Sequence, residues 1–450
     1  MDSMQATSYQ YINVIPYSNL INWSVNYHLE RDHGYNEDYE LVNIGSVITR
    51  NRQKIELQEE ELYTQVTIKL WGKGVVERTK KYGKEIGTKN QYRVSEGQFI
   101  MSKIDARNGA FGIVPAELED AITTQDFLSY NINSDKVNPK FLKILSSTDQ
   151  FLKICQSAST GTTGRRRIDE KFFLSIPIPL PSLEEQQQIV KAYNEKVDEA
   201  DSLKDQTLSV KKDYIDLLSK KLGVEFGKSE VNRSKLKYIK YSNLHRWGIS
   251  NTQIYQSNFP LVEVGSCLTD ISTGTTPPTK RKEYFDGEVP FFTPADLTDI
   301  DYLKESKRTL TALAIQDGKA RVFPKGTLLF VGIGSSIGKV GLVDIQIATS
   351  NQQITGIAFN EDIMLSEFAF IFFHHFQSIT TADKVQSTLP IINQEKIKAI
   401  LMPKPPISFQ KQIILEYKSY SKKLSNLIKE ESTYRKNALS NFESQIFKSQ

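Results

Sequence analysis

The chain repeats itself. Tyr17-Ser18-Asn19-Leu20-Ile21-Asn22-Trp23 returns 224 positions later as Tyr241-Ser242-Asn243-Leu244-His245-Arg246-Trp247. Leu41-Val42-Asn43-Ile44-Gly45-Ser46 returns as Leu261-Val262-Glu263-Val264-Gly265-Ser266. The stretch from Glu96-Gly97-Gln98-Phe99-Ile100 to Val114 matches that from Lys325-Gly326-Thr327-Leu328-Leu329 to Val343. Pro179-Leu180-Pro181, followed by Gln186, Gln188, Ile189 and Tyr193, matches Pro403-Lys404-Pro405, followed by Gln410, Gln412, Ile413 and Tyr417. Four matches in one order, at offsets of 220–229, exclude chance. The period far exceeds the 20–50 residues of solenoid repeats. A whole domain-plus-helix unit has been duplicated, and a pseudo-twofold internal repeat follows.

Each copy begins with short apolar runs bounded by Gly, Pro and polar turns. Phe99-Ile100-Met101, Gly326 to Val331 and Ile354 to Phe359 read as strands. Pro139 to Cys155 and Leu365 to Ile379 read as helices. The fold class expected is α+β (mixed α/β) rather than a doubly wound sheet.

Each copy ends in a long helix. Ser182 to Leu222 holds no proline, and Gly223 stands just beyond it as a stop. Ser182 is placed to cap it, with Glu184 and Glu185 in the first turn. Its apolar stripe is Val190, Tyr193, Val197, Ala200, Leu203, Val210, Tyr214 and Leu217. The second helix, from about Ile407 to Phe447, carries Ile413, Tyr417, Tyr420, Leu424, Leu427, Tyr434, Ala438 and Phe442. Most steps alternate three and four, as a coiled-coil seam requires, with an irregular step near Leu203. Forty residues at 1.5 Å each span about 60 Å, so the pair is expected to form an antiparallel rod between two domains. The expected order is an N-terminal segment and first domain over 1–181 (the domain itself from about 38) and the first helix over 182–222. A linker and repeat start follow over 223–257, then the second domain over 258–404 and the second helix over 405–450.

Hydrophobic residues make up 39% and charged residues 24%, a globular composition rather than a fibrous or disordered one. No run nears the ~18 apolar residues of a membrane span. The start, Met1-Asp2-Ser3-Met4-Gln5, shows no secretory pattern. Two cysteines, Cys155 and Cys267, favour a reducing cytoplasm over a disulfide framework.

Catalytic motifs are scarce. Gly332-Ile333-Gly334-Ser335-Ser336-Ile337-Gly338-Lys339-Val340 fails as a phosphate loop, because Ile333 and Val340 stand where Gly and a hydroxyl are needed. A glycine-rich hairpin is the better account. The five histidines, His28, His33, His245, His374 and His375, show no metal spacing. A binding or scaffolding protein is the reading these absences leave.

Cations gather in places that differ between the copies. The first has Arg50, Arg52, Lys69, Lys73, Arg78, Lys80 and Lys81 with Trp71 interleaved, then Lys103, Arg107 and the run Arg165-Arg166-Arg167. The second has Thr275, Thr276, Lys280, Arg281, Lys282 and Tyr284, then Lys307, Arg308, Arg321 and Lys339. Lys and Arg neutralise phosphates, and Arg, Asn and Gln read base edges. A duplicated scaffold with unlike basic loops is suited to reading two different targets.

With these residues in place, the pattern resembles the specificity (S) subunit of type I restriction-modification systems. The resemblance rests on Ile271-Ser272-Thr273-Gly274-Thr275-Thr276-Pro277 leading to Val289-Pro290-Phe291-Phe292-Thr293-Pro294-Ala295-Asp296-Leu297. It rests also on Gly326 through Gly341, on Ser350-Asn351-Gln352-Gln353-Ile354, and on Ile178-Pro179-Leu180-Pro181-Ser182-Leu183-Glu184-Glu185-Gln186. The first domain departs from the commoner form. There Ile68-Lys69-Leu70-Trp71-Gly72-Lys73-Gly74-Val75 replaces the Thr-Pro loop, and Asp105 to Gly112 replaces the Gly-Ser-Ser hairpin.

The resemblance implies two target-recognition domains, each reading half of a bipartite double-stranded DNA sequence. The helices would pair through Val190, Tyr193, Val197, Leu203, Tyr214, Leu217, Ile413, Tyr417, Leu424, Leu427, Tyr434 and Phe442, and dock two methyltransferase (M) subunits. S-adenosylmethionine would sit on the methyltransferase, and ATP and magnesium on restriction (R) subunits, with no cofactor in this chain and no membrane partner. The gap between half-sites would be near one DNA turn. The alternatives are a subunit of a methylation-only or other defence system, a scaffold indifferent to DNA sequence, and a self-contained nuclease.

Overall fold

A computed structural model describes residues 34–157, 159–160, 167–226, 255–297, 302–382 and 390–448. They fall into two units, one of 34–202 with 430–448 and the other of 203–429. The first match of the repeat, at Tyr17 and Tyr241, lies outside the described residues.

In the first unit the strands run β1 (Leu41–Asn43), β2 (Ile48–Arg50), β3 (Lys54–Ile55), β4 (Leu62–Ile68), β5 (Val75–Tyr82), β6 (Gln91–Arg93) and β7 (Phe99–Ser102). They continue with β8 (Phe111–Ile113), β9 (Ile122–Thr124), β10 (Phe127–Ile132), β11 (Ser159–Thr160), β12 (Arg167–Ile168) and β13 (Pro177–Pro179). Helices α1 (Pro139–Leu145), α2 (Asp149–Ser157) and α3 (Glu170–Ser175) precede the long α4 (Leu183–Leu222). A four-stranded antiparallel sheet has the order β2-β10-β7-β8. A second sheet, β3-β6-β9-β4-β5, is antiparallel except where β4 meets β9. Phe99, Phe111 and Phe173 are fully buried and stack with centroids 5.9–6.3 Å apart, so a ring cluster anchors sheet to helix.

The second unit repeats this frame with β14 (Glu225–Phe226), β15 (Tyr255–Gln256), β16 (Leu261–Glu263), β17 (Leu268–Thr273), β18 (Phe285–Phe292), β19 (Tyr302–Leu303) and β20 (Thr309–Leu310). Then come β21 (Val322–Pro324), β22 (Leu328–Val331), β23 (Val340–Val343), β24 (Ile347–Ser350), β25 (Ile354–Phe359) and β26 (Leu401–Pro403). Its helices are α5 (Ala312–Gln316), α6 (Ser366–His375), α7 (Gln377–Thr380), α8 (Gln394–Lys398) and α9 (Ile407–Ile446). The sheet β17-β25-β22-β23-β19 corresponds to β2-β10-β7-β8, and the pair β16-β26 to β1-β13. The matched glycines do the same work twice. Gly97 N–H donates to Val114 O and Gly326 N–H to Val343 O, each at 2.9 Å. A second sheet, β20-β18-β24-β21, is joined differently from its counterpart in the first unit, so the copies diverge away from the shared frame.

The stretch from Pro139 forms two helices rather than one. Ser146 and Ser147 hydroxyls donate back to Lys143 O and Thr148 to Leu145 O, and such local bonds compete with helix continuation. The stretch after Leu365 breaks likewise, at Phe376.

The two forty-residue helices are unbroken. Ser182 caps α4 as expected and forms a reciprocal box with Glu185: Glu185 N–H donates to Ser182 Oγ (3.3 Å), and Ser182 N–H donates to Glu185 Oε2 (2.9 Å). The Ser182 hydroxyl, donating to Glu185 Oε2 at 2.7 Å, and then the Ser182 N–H hold the Glu185 carboxyl below its ordinary range. Within each unit the helices run antiparallel. In the first, Tyr193 meets Phe442 edge-on and Arg435 pairs with Asp201 at 2.7 Å. In the second, Tyr214 stacks on Tyr420 at 4.0 Å and Lys221 pairs with Glu416. Both helices also close the domain cores. Ile189, Val190, Phe442 and Ile446 enter the first core, and Tyr214, Leu218, Ile413 and Tyr417 the second.

Of the expected pairing residues, Val190, Leu203, Tyr214, Ile413, Tyr417 and Phe442 are buried, and Tyr193, Val197, Leu424 and Leu427 half-buried. Leu217 and Tyr434 are corrections, being 44% and 39% exposed. From Tyr214 the buried face continues by steps of four to Leu218 and Leu222, leaving Leu217 outside. Arg435, beside Tyr434, bonds Asp201 across the helix pair and Glu431 on its own helix, with its side chain still 40% exposed.

His375 on α6 lies among Tyr214, Tyr417 and Tyr420, with ring centroids 5.1–6.0 Å away. Its Nε2 has no hydrogen-bond partner among the described residues. Burial, then His374 and Lys211, push its pKa down to about 3. An unfolded histidine titrates near 6.5, so below that pH the unfolded chain takes up a proton that the folded one refuses. This stability is complete above pH 6.5 and is lost as pH falls, by about 2 kcal/mol at pH 5. Denaturant titrations at pH 7.5 and 5 should show that loss, and His375→Phe should flatten it.

Candidate nucleic-acid interface

In the first unit the hairpin β4–β5 is the main carrier of cations. Its tip is closed by Lys69 N–H donating to Gly74 O at 2.9 Å. Trp71 N–H donates to Asn108 O (2.9 Å) and Gly72 N–H to Gly109 O (3.0 Å), which ties the tip to the turn between β7 and β8. Gln156 Nε2 holds Arg107 O at 3.1 Å, and Ile168 N–H donates to Lys103 O at 3.0 Å. Arg167 pairs with Asp126, whose carbonyl accepts from Lys103 N–H. The fold therefore gathers Lys69, Trp71, Lys73, Lys103, Arg107 and Arg167 around linked loops.

Arg78, Lys80 and Lys81 lie apart from that tip, exposed along β5. Because β5 is a sheet edge, charges there also discourage strand addition. Arg52 is exposed. Arg165 and Arg166 lie outside the described residues. Arg50 is a correction. Its side chain is only 13% exposed, pairs with Glu170 at 3.3 Å, donates to Ser129 O and stacks over Tyr130. It secures the frame and is not offered to a ligand.

In the second unit the Thr-Pro loop crosses the end of the sheet. Gly274 N–H donates to Ile354 O at 2.9 Å. Thr275 Oγ1 donates to Lys319 O (3.2 Å) and accepts from Arg321 N–H (2.8 Å). Thr276 Oγ1 donates to Gln352 Oε1. Thr275, Thr276, Arg321 and Gln352 thus share one exposed patch, with Lys319 beside them. The neighbouring loop, Gly332 to Lys339, joins β22 to β23 as a glycine-rich hairpin. Its Gly332 N–H donates to Gln353 O (2.9 Å), and Lys339 is exposed.

Lys280, Arg281 and Lys282 are exposed at the far end of the loop. Tyr284 is a correction. It is fully buried, accepting from Arg281 and donating to Asp317 Oδ2 at 2.9 Å, so it anchors the basic loop from beneath. Arg281 also stacks over its ring, 5.2 Å from the centroid. Lys307 and Arg308 are exposed on another loop, where Arg308 lies over Phe285 and Phe291.

Gln352 was not among the DNA-contact candidates taken from sequence. The signal was Ser350-Asn351-Gln352-Gln353 directly after an apolar run, and glutamine is the amide that pairs with adenine. The first face offers cations and an indole, and the second cations, hydroxyls and an amide; cations bind phosphates, and Arg and amides also read base edges. Cys155 and Cys267 are buried thiols, and burial pushes Cys155 up, away from nucleophilic form. Among the described residues no three His, Cys, Asp or Glu side chains gather to hold a metal ion, and no helix is long and apolar enough to cross a membrane.

Comparison with known proteins follows this division. Residues 36–209 and 261–433 each match the type I restriction modification DNA specificity domain. The type I restriction enzyme MjaIX specificity subunit of Methanocaldococcus jannaschii is 29% identical over 182 residues, 39% of this chain and 41% of that protein. The type I restriction enzyme EcoAI specificity subunit of Escherichia coli is 36% identical over 76 residues, 17% of this chain and 13% of that protein. The matched stretches thus span less than half the length of either relative. A solved structure on complex assembly and conformational transition of the type I R-M system shares the fold, with a TM-score of 0.51 at 16% identity. It covers 90% of this chain and 97% of that one. Two copies of one domain model, on the two copies that the internal repeat marks out, place this chain in the family of type I restriction-modification DNA specificity subunits.

Proposed function

We propose that this chain is the non-catalytic, sequence-reading subunit of a type I restriction-modification complex, and that each unit reads one half of a bipartite double-stranded DNA target. One observation carries this reading: a repeated frame bears two unlike polar faces. The first unit presents Lys69, Trp71, Lys73 and Arg107, and the second Thr276, Arg321 and Gln352. A duplicated scaffold serving one target twice has no need of that divergence.

The helices α4 and α9 are the proposed dock for two methyltransferase subunits. Exposed Leu208, Ile215 and Leu217 on α4 and Ile428 on α9 support this, since apolar side chains left on a helix pair favour further helices. S-adenosylmethionine belongs to those partners, and ATP and magnesium to restriction subunits that join them. The complex is placed in the prokaryotic cytoplasm. The test is a map of methylated bases in cells with the gene intact and deleted. Methylation should vanish at one split motif, and an unchanged map contradicts the proposal.

A further inference from the structure

The tip of the β4–β5 hairpin presents two large apolar side chains to solvent: Trp71 is 62% exposed and Leu70 is 38% exposed. Trp71 also holds a backbone φ of +61°, in the left-handed region that is unfavourable for a bulky residue. The conformation is enforced from below. Trp71 and Gly72 donate their N–H groups to Asn108 O and Gly109 O. A Cβ on Gly109 would press on Trp71 backbone at 3.2 Å, and one on Gly72 would meet Ser147 Oγ at 2.5 Å. Neighbouring elements therefore lock the tip, with its indole outward. Lys69 and Lys73 flank it in the same turn, and Arg107 belongs to the turn that holds it.

We propose that Leu70 and Trp71 form a wedge that enters the base stack of duplex DNA and unstacks one step of the first half-site, while Lys69, Lys73 and Arg107 hold the flanking phosphates. The inference rests on the reading of this chain as DNA-binding. Indole has one donor and no acceptor, which suits it poorly to reading base edges, whereas every base offers a face for stacking. Apolar wedges between base steps are an established way to kink a duplex, and the cations at this tip match the phosphates that such a wedge must approach. A rigid tip loses little conformational freedom on insertion.

The test uses the full chain with its methyltransferase partner and a duplex enriched from a random pool by the wild type. 2-Aminopurine is placed at successive positions of the first half-site. Its fluorescence should rise several-fold at one step on binding. Trp71→Ala should abolish the rise and weaken binding about tenfold. Trp71→Asn, which tolerates the left-handed backbone, should do the same with the loop intact. Lys73→Ala should lower affinity and salt slope and leave the rise in place. A selected duplex whose fluorescence stays flat along the half-site overturns the wedge alone. So does a rise that survives Trp71→Ala while methyltransferase binding is lost, which would make the tip a protein contact. A wild-type complex that enriches no sequence overturns the DNA-reading proposal and the wedge with it.

Discussion

Replacing Gln410 by leucine should destabilise the second unit by about 3 kcal/mol or more. Gln410 is fully buried, and its amide does three jobs. Its Oε1 accepts from Leu365 N–H at 2.8 Å, and its Nε2 donates to Ile363 O (3.3 Å) and Pro405 O (2.9 Å). One side chain at the start of α9 thus satisfies the chain entering α6 and the proline turn from which α9 springs. Leucine fills a similar volume and leaves these backbone groups without partners, at about 1–3 kcal/mol each. For a unit of this size the melting temperature should fall by roughly 6–12 °C. Gln186 makes the same constellation in the first unit, with Asn138 N–H, Lys136 O and Pro181 O, so Gln186→Leu should cost as much. Melting curves within 2 °C of wild type for both variants would show that the amides are not structural.

Gly274→Ala should remove recognition by the second unit and leave the first intact. A Cβ at this position would strike Ser350 Oγ and lie 2.5 Å from Ser350 O, and backbone cannot step aside as a flexible side chain can. The loop must lift. Thr275 would then lose Lys319 O and Arg321 N–H, and Thr276 would lose Gln352. Overpacking of this kind costs about 1–3 kcal/mol, which a unit with so large a core survives. Methylation dependent on the second half-site should drop at least tenfold while the melting temperature moves only a few degrees. A variant that keeps wild-type specificity would show that the Thr-Pro loop takes no part in reading.

The frame was legible in the sequence because duplication leaves matched residues on matched jobs. The repeat alone pairs Gly97 with Gly326 and Gln186 with Gln410, the cap of α4 follows from Ser182 and Glu185, and the lengths of α4 and α9 follow from the absence of proline. What those glutamines hold was not legible, because their partners lie about fifty residues earlier in the chain. The seam was misjudged where it leaves the heptad: an α-helix drifts about 20° per heptad, so Tyr434, seven residues after Leu427, turns outward. The candidate interface was legible as composition and not as placement. Arg50 and Tyr284 looked like their exposed neighbours, yet each meets a carboxylate, Glu170 or Asp317, that only the fold brings near. Gln352 was read only within the run Ser350 to Ile354 and not as a DNA contact, because an uncharged amide gives no signal in a search for basic stretches.

The central claim is that two copies of one frame read two different halves of one DNA target. A genome-wide map of methylated bases tests it most directly, made in cells carrying the intact gene, its deletion and the Gly274→Ala form. A split motif should disappear with the gene and lose the demand for one half in the variant. A contiguous motif, or a map indifferent to the gene in cells whose methyltransferase is active, would contradict the claim.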